Sequence, residues 1–237
     1  DGYGFNLNTL AVDLKAKVSR FDYNGYSYRN IDMNGKLKQK IFDGYAAIND
    51  PNLKGTLNGL ISLGSQSRYN LVADIAHADL GAIKVTKEPV TFNGRFDLNF
   101  TGNNIDNFLG TARISNASLL RNNQPLSFDS LVVHSGFQNG NRFLTFSSNE
   151  FNGAIEGDFH LTDLPNAIQL FLNKYYPSYV KAPTRYIPNQ NFRFNLATKE
   201  VDQFVQLFNK NLRGFNDSKF DGALNLAKNQ LDFNAVV

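Results

Sequence analysis

The chain has 237 residues and no cysteine, and its 24 basic and 21 acidic side chains give a formal net charge of +3. The absence of cysteine excludes a disulfide framework, a thiolate metal site and a cysteine nucleophile, and so weak and scattered a charge argues against nucleic-acid binding, which needs a clustered basic face. The chain contains 21 Phe and 10 Tyr but no Trp, a bias that favours pleated, half-buried strands.

Strand patterns dominate the chain from its first residues onward. Between Leu10 and Val18 apolar residues alternate with polar ones, as a strand with one buried face requires. The aromatic runs 21–23 and 26–28 flank Asn24-Gly25, and Asn-Gly between alternating runs is a strong hairpin signal. Further strands are predicted at 69–75, 90–100, 131–133, 142–147, 192–196 and 230–237.

Two segments break the alternation and are predicted to be short amphipathic helices. Residues 164–176 place Ile168, Phe171 and Leu172 on one helical stripe that closes before Pro177. Residues 201–212 place apolar side chains at positions 201, 204, 205, 208 and 212, which is helical spacing. Neither polar face is rich in Lys or Arg, so we expect the helices to pack on the sheet rather than lie on a membrane.

A glycine motif, apolar-x-Gly-x-apolar, recurs along the predicted strands. Glycine inside a strand marks a bulge, a bend or a close approach of two backbones. Its repetition at one place in the pleat predicts a repeated kink on one face of a continuous curved sheet. Ordinary glycine-containing strands in a β-sandwich would show the same pattern, so both interpretations stay open. The motif appears as MNGKL at 33–37, FDGYA at 42–46, LNGLI at 57–61, FNGRF at 92–96, FLGTA at 108–112, FNGAI at 151–155 and FDGAL at 220–224.

A longer similarity indicates internal repeats. The block 50–63 and the block 147–161 share the order polar turn, glycine motif, second glycine and alternating strand. Their spacing of roughly 98 residues is too long for a solenoid built from short units. We therefore expect one continuous region with repeat-like units at about 10–90, 91–176 and 190–237 onward, without a firm domain boundary. The chain begins and stops inside these patterns, and we interpret it as a fragment of a longer protein.

No catalytic constellation stands out. His77, His134 and His160 are far apart in the sequence, whereas a metal site needs three or four ligands. No serine lies in a G-x-S-x-G context, and no Walker-type or dinucleotide-binding glycine loop occurs. We therefore predict that the protein is not an enzyme and has no cofactor and no metal site.

Three runs of sequence resemble a known family. They are YRNIDMNGKLKQKIFDGYAAINDPNLKGTLNG at 28–59, FTGNNIDNFLGTARI at 100–114 and NRFLTFSSNEFNGAIEGDF at 141–159. They are similar to the repeat region of TamB, the translocation and assembly module subunit, of the Bacteroidetes type. TamB belongs to the AsmA-like group of repeating-β-groove, bridge-like lipid-transfer proteins. The resemblance covers nearly the whole chain and is strongest from Phe21 to Leu164.

The resemblance implies a mostly β fold, a long curved antiparallel sheet that forms an open hydrophobic groove (a β-taco), with one or two short amphipathic helices. It implies a non-enzymatic periplasmic segment of a bridge between the inner and outer membranes of a Gram-negative bacterium. Such a segment would carry or shield phospholipid acyl chains and support outer-membrane biogenesis. The inner-membrane anchor and the contact with an Omp85-family barrel, TamA-like or TamL-like, would lie in parts of the protein outside this fragment.

Two other interpretations of the sequence remain. The chain could be a scaffold or chaperone-like module that pairs its strands with outer-membrane proteins during their insertion. It could also be an ordinary β-sandwich binding module whose two apolar faces cover each other. In the groove interpretation the apolar face is covered by acyl chains, since an apolar sheet face must be covered and each buried methylene contributes about 0.8 kcal/mol.

Strand parity predicts which side chains share the groove face, although parity does not say which face is inward. The candidate groove-lining residues are Leu57, Ile61, Leu63, Phe92, Phe96, Leu98, Phe151, Ile155, Phe159, Leu161, Phe220, Leu224 and Leu226.

Overall fold

The computed structural model describes residues 10–62, 64, 66–121, 123–208 and 211–237. Within these residues all thirteen strands belong to one antiparallel sheet, and the order of the strands in the sheet is their order in the sequence. The sheet is not closed into a barrel, since the first and the last described strands each pair on one side only. The predicted fold class, a mostly β chain with one open antiparallel sheet and two short helices, is confirmed.

The helices lie between strands of the second half of the chain. Helix α1 spans Leu164–Tyr175, almost the predicted range, and follows a short 3-10 turn at Leu161–Asp163. Helix α2 spans Asp202–Phe208 and is shorter than predicted, with residues 209 and 210 outside the described part. The strands are β1 Ala11–Tyr23, β2 Tyr26–Lys38, β3 Ile41–Asp50, β4 Leu53–Ser62, β5 Arg68–Asp79, β6 Val90–Thr101, β7 Leu109–Arg121, β8 Gln124–Gln138, β9 Asn141–Ser148, β10 Phe151–Asp158, β11 Asn191–Thr198, β12 Lys219–Asn225 and β13 Gln230–Val236.

The described chain divides into two compact units. Unit 1 contains the described residues of 1–102 and 110–132, and unit 2 contains 103–109 and 133–237. The division therefore falls inside β8 and not at the predicted repeat limits near residues 90 and 176. Division into internal repeats stays a prediction from the sequence.

Unit 1 presents an apolar face and a polar face, and its strands β1 to β6 pair so that apolar residues stand opposite apolar residues. Directly opposed residues in antiparallel strands lie on the same face, so each row of partners across the six strands forms a rung. The four apolar rungs are Val12–Leu37–Phe42–Ile61–Tyr69–Phe100, Leu14–Gly35–Gly44–Gly59–Leu71–Leu98, Ala16–Met33–Ala46–Leu57–Ala73–Phe96 and Val18–Ile31–Ile48–Gly55–Ile75–Gly94.

The second rung aligns three glycines of the motif on neighbouring strands. Gly35 pairs with Gly44, and Gly44 pairs with Gly59. A Cβ atom built on Gly44 would collide with the backbone of Asn34 and Gly35 on the next strand. Gly59 has a φ of +135°, a conformation that side-chain-bearing residues rarely adopt. The motif in unit 1 therefore permits a close approach of the strand backbones along this rung.

In unit 2 the same motif makes room for aromatic rings. A Cβ atom on Gly153 would collide with the ring of Phe146 on the neighbouring strand β9. A Cβ atom on Gly222 would stand 3.0 Å from the ring of Phe194, its partner on β11. Glycine is thus covered by a neighbouring ring, an arrangement that offsets the missing side chain.

The apolar face of unit 2 is packed more tightly than that of unit 1. Leu144 and Ile155 are directly paired and buried, and Leu224 is 1% exposed. The ring of Phe204 on α2 lies 5.4 Å from the ring of Phe151 on β10, so α2 contacts one end of this face. Side chains from within the protein therefore already cover much of the apolar surface of unit 2.

The close approach at the glycine rung generates a stability prediction. We expect Gly44→Ala to lower the free energy of unfolding by about 1–3 kcal/mol, because the added methyl group forces apart two strand backbones. The matched control is Gly64→Ala, where a Cβ atom meets nothing within 4 Å and little change is expected. Urea unfolding followed by circular dichroism measures both, and equal stabilities of the two variants would contradict the role assigned to the rung.

Candidate functional site

The apolar face of unit 1 is largely uncovered. Among its four rungs only Leu71 is buried, Val12 is exposed, and every other position is partly exposed. Six strands and four rungs span roughly 20 Å by 24 Å, on the order of 500 Å². This area is near the upper end of the roughly 300–600 Å² of the largest apolar patch on a typical soluble monomer, and such patches are often functional.

The chemistry of this face is uniform. Its four rungs contain aliphatic side chains, aromatic rings and glycines, and their only ionisable group is the phenol of Tyr69. The ring of Tyr69 stacks on that of Phe100 with centroids 4.7 Å apart. A surface of this composition binds by removing apolar area from water and imposes little directional preference on its ligand.

A concavity of about 370 Å³ lies at one end of the apolar face. The exposed rings of Phe21 and Tyr23 stand at its rim with centroids 6.2 Å apart, next to Tyr28. The aromatic end and the aliphatic rungs therefore form one continuous apolar wall. The remaining lining residues are Ile31, Ala46, Ala47, Ile48, Leu53, Gly55, Thr56, Leu57, Ala73 and Ile75.

A buried polar network holds this end of the sheet together. Asp50 is fully buried and accepts hydrogen bonds from the Tyr26 hydroxyl at 2.5 Å, the Arg29 amide at 3.0 Å and the Asn52 amide at 2.9 Å. The Asn52 side chain donates in turn to the Tyr26 oxygen at 3.1 Å. Burial, and then the hydrogen bond to Asp50, raises the pKa of Tyr26 above its ordinary value. The network anchors the β3–β4 turn to β2.

The opposite face of unit 1 is polar. One of its rungs is Lys17–Asp32–Ala47–Thr56–Asp74–Arg95, where Arg95 and Asp74 form an ion pair at 2.9 Å. The amide side chains of Asn49 and Asn93 join Asp32, Asp74 and Arg95 in lining a shallow cleft of about 790 Å³. The two faces of unit 1 thus suit water on one side and an apolar ligand on the other.

Five of the sequence-predicted groove residues lie on the apolar face of unit 1. Leu57 and Phe96 belong to one rung, Ile61 and Leu98 belong to two others, and all four are partly exposed. Phe92 pairs with Ala78, and its ring lies 5.3 Å from that of Phe96. The structure therefore brings these five side chains together. Leu63 is outside the described residues.

The predicted groove residues of unit 2 are mostly packed inside the protein. Ile155, Leu224 and Leu226 are buried, and Phe159 is buried below the Arg142 guanidinium at 4.5 Å from its ring. Leu161 is not on a strand, since β10 ends at Asp158 and Leu161 opens the 3-10 turn.

Two further predicted residues of unit 2 keep partial exposure beside rings from outside the sheet. Phe151 contacts Phe204 of α2, and Phe220 lies 6.2 Å from Phe215 in the segment before β12. The candidates that remain available to a ligand are therefore concentrated in unit 1.

Several further residues of the apolar face, on strands β1 to β3, are not among the candidates predicted from parity. Met33 and Phe42 belong to two of the glycine motifs and could have been named by the same parity as Leu57. Phe21, Tyr23 and Tyr28 were missed because the left-handed residue Asn30, with φ of +53°, interrupts regular alternation at this end of β2.

Comparisons of the chain with protein-family models, with curated proteins and with solved structures found no match. In the described part of the chain no helix has the length and apolarity to cross a membrane, and no three metal-binding side chains cluster.

The polar network generates a prediction with a pH signature. We expect Tyr26→Phe to lower the free energy of unfolding by about 1.5–3 kcal/mol at neutral pH, because the Asp50 carboxylate loses a hydrogen-bond donor. Because the pKa of Tyr26 is raised on folding, the proton on its phenol stabilises the folded state fully below the ordinary tyrosine value of about 10. This stabilisation disappears as the pH rises through the raised pKa.

The stability of the wild type should therefore fall more steeply above pH 10 than that of Tyr26→Phe. Urea unfolding at pH 8 and at several values above 10 measures the difference, with Tyr179→Phe as the control because Tyr179 is 89% exposed. Parallel declines of the wild type and Tyr26→Phe would show that the network does not couple to Tyr26 ionisation.

Proposed function

We propose that this chain is a non-enzymatic segment of a periplasmic conduit that carries or shields phospholipid acyl chains between the inner and outer membranes and supports outer-membrane biogenesis. The observation that carries the proposal is the apolar face of unit 1, whose rungs are partly exposed although they contain almost no polar atom. An acyl chain is a suitable cover for such a face, because each buried methylene contributes about 0.8 kcal/mol.

The uniformity of the rungs also favours movement along the face. Hydrophobic burial is non-directional, so an acyl chain that slides from one strand to the next exchanges one apolar contact for another of similar strength. The aliphatic partners Ile31 and Ile48 and the rung of Leu57 and Phe96 supply this wall on neighbouring strands. The polar rung on the other face keeps the sheet soluble while the apolar face is occupied.

The resemblance to TamB repeats supports the cellular setting of the proposal. In that setting the full-length protein is anchored in the inner membrane and reaches an Omp85-family barrel of the outer membrane through parts outside this fragment. The alternation of apolar and polar faces over six consecutive strands of unit 1 agrees with a groove assembled from repeated strands.

A scaffold for outer-membrane proteins is the second candidate. Within the described residues β1 and β13 each pair with one neighbour, so each leaves a row of backbone groups on its other side. A sandwich module is disfavoured because it needs a second sheet, whereas all thirteen described strands belong to one.

The lipid proposal is tested by placing a charge on the apolar face. We expect phospholipid to co-purify with the wild type, and Phe96→Asp to reduce the lipid bound at least tenfold, since a carboxylate in an apolar wall is costly to desolvate. The matched control is Tyr45→Asp, which adds the same charge on the polar face, where Tyr45 pairs with Asn34 and Asn58. Native mass spectrometry measures bound lipid after circular dichroism has shown that both variants fold.

A wild type without lipid, or equal lipid on both variants, would refute the acyl-chain proposal.

A photo-crosslinking residue separates the conduit from the scaffold. We expect p-benzoylphenylalanine at position 96 to form adducts with phospholipid in intact cells, because Phe96 is partly exposed on the apolar face. The same residue at position 45 on the polar face should form few lipid adducts. Adducts of position 96 with outer-membrane polypeptides alone would favour the scaffold and contradict the conduit.

A further inference from the structure

After helix α1 the chain turns back and runs along the helix in the opposite direction. The Asn173 side chain donates to the Val180 carbonyl at 2.6 Å, and the Gln169 side chain donates to the Lys181 carbonyl at 2.8 Å. Arg185 then forms an ion pair at 2.5 Å with Asp163, the residue immediately before α1. Contacts at successive turns of the helix therefore hold residues 177–190, which we call the return segment, in place.

This arrangement displays a series of rings to solvent. Tyr179 is 89% exposed and Tyr186 is 86% exposed, while Tyr175 and Tyr176 at the end of α1 are each more than half exposed. Ile168, on the helix, is also exposed. We call these five residues the tyrosine ridge. Single exposed apolar side chains are normal on protein surfaces, whereas a concentration of them marks a site of interaction.

Basic side chains accompany the tyrosine ridge along the chain. Residues 164–190 contain Lys174, Lys181 and Arg185 and no acidic residue. Arg185 is balanced by its ion pair with Asp163, so Lys174 and Lys181 are the two uncompensated charges of this stretch. Lys174 and Tyr175 also bond the turn between β12 and β13 at Asn229, which fixes the end of the helix.

We propose that the tyrosine ridge docks on the headgroup layer of an anionic phospholipid bilayer. Tyrosine has an apolar ring and a polar tip, and it suits the boundary between acyl chains and water. Each Lys or Arg close to an anionic bilayer strengthens binding about fivefold. The proposal does not depend on the apolar face of unit 1, which would hold single acyl chains, because the ridge would contact an intact membrane surface.

A bilayer fits the ridge better than an acidic protein does. The core of a protein interface is depleted of charged residues and packed as tightly as a protein interior. Lys181 lies between the ridge residues Tyr179 and Tyr186 in the sequence, and both rings are almost entirely surrounded by solvent. Separate rings interspersed with positive charge can each enter a fluid headgroup layer without a complementary shape.

The helical pattern by itself did not indicate this surface, because the polar face of α1 is poor in basic residues. One of the two uncompensated positive charges, Lys181, comes from the return segment. The contacts of Asn173 and Gln169 place that segment beside the helix.

Tryptophan fluorescence tests the docking directly, since the chain contains no Trp. We expect Tyr179→Trp and Tyr186→Trp to show a blue-shifted emission, and quenching by brominated acyl chains, with vesicles of 70% phosphatidylcholine and 30% phosphatidylglycerol. With pure phosphatidylcholine vesicles both signals should be weak. Tyr45→Trp on the polar face of unit 1 is the control and should show neither effect. An unchanged emission at both ridge positions would overturn the proposal.

Vesicle sedimentation tests the contribution of charge and rings. We expect Tyr179→Ser/Lys181→Gln to bind the anionic vesicles at least tenfold more weakly than the wild type, whereas the matched variant Tyr45→Ser/Lys36→Gln binds normally. Binding should also weaken as salt rises, because the Debye length shortens. Equal losses in the two variants, or equal binding to neutral vesicles, would refute a specific anionic docking surface.

Two further outcomes separate this proposal from its neighbours. The variant Phe96→Asp, which tests the apolar face of unit 1, should sediment with anionic vesicles as the wild type does. If this variant loses vesicle binding, the apolar face is responsible for that binding and the docking by the ridge is wrong. A second outcome is that the wild type does not bind vesicles but binds polyglutamate, and that Tyr179→Ser/Lys181→Gln does not bind polyglutamate. In that case the ridge recognises an acidic protein and the membrane proposal is wrong.

Discussion

The structure depends on the register of its antiparallel strands. Side chains alternate between the two faces with a period of two, so a slip of one residue would move every apolar side chain of a strand to the polar face. The pair Gly35–Gly44 favours one register, because a Cβ atom on either glycine would collide with the backbone of the other strand. The glycines that permit the close approach thereby also keep the apolar rungs of β2 and β3 aligned.

The glycine motif has a different structural role in each of the two units. In unit 1 the apolar face remains open, with aliphatic and aromatic side chains that are partly exposed. In unit 2 rings cover Gly153 and Gly222, the ring of Phe204 on helix α2 lies against Phe151, and Ile155 and Leu224 are buried. The apolar surface that is accessible to a ligand therefore lies mainly in unit 1. In unit 2 most of the apolar face is buried, and the exposed feature is the tyrosine ridge with its neighbouring basic residues.

In the two proposals both surfaces bind lipid, and each acts on a different part of it. The rungs of unit 1 provide apolar area without directional hydrogen bonds, and such a surface would let an acyl chain move along it. The ridge offers phenol groups and positive charges, which suit headgroups that stay in place. The buried network around Asp50 complements this division, because it satisfies polar backbone groups beside the aromatic end of the groove without placing a charge on the apolar wall.

The sequence by itself determined the periodicity of the strands and the positions of the two helices, because alternation and helical spacing are local properties of the chain. Alternation suits a β-sandwich as well as a single sheet, so only the strand pairing decided between them. It also placed Leu57 and Phe96 on the same face, since parity is counted along the chain and the pairing preserves it. Only the tertiary structure decided which apolar residues remain open. Ile61 and Leu224 each occupy the last position of a glycine motif, yet Ile61 is partly exposed and Leu224 is buried. The burial of a residue depends on which side chains from other segments pack against it. Those segments are distant in the sequence, so a local pattern does not predict the contact.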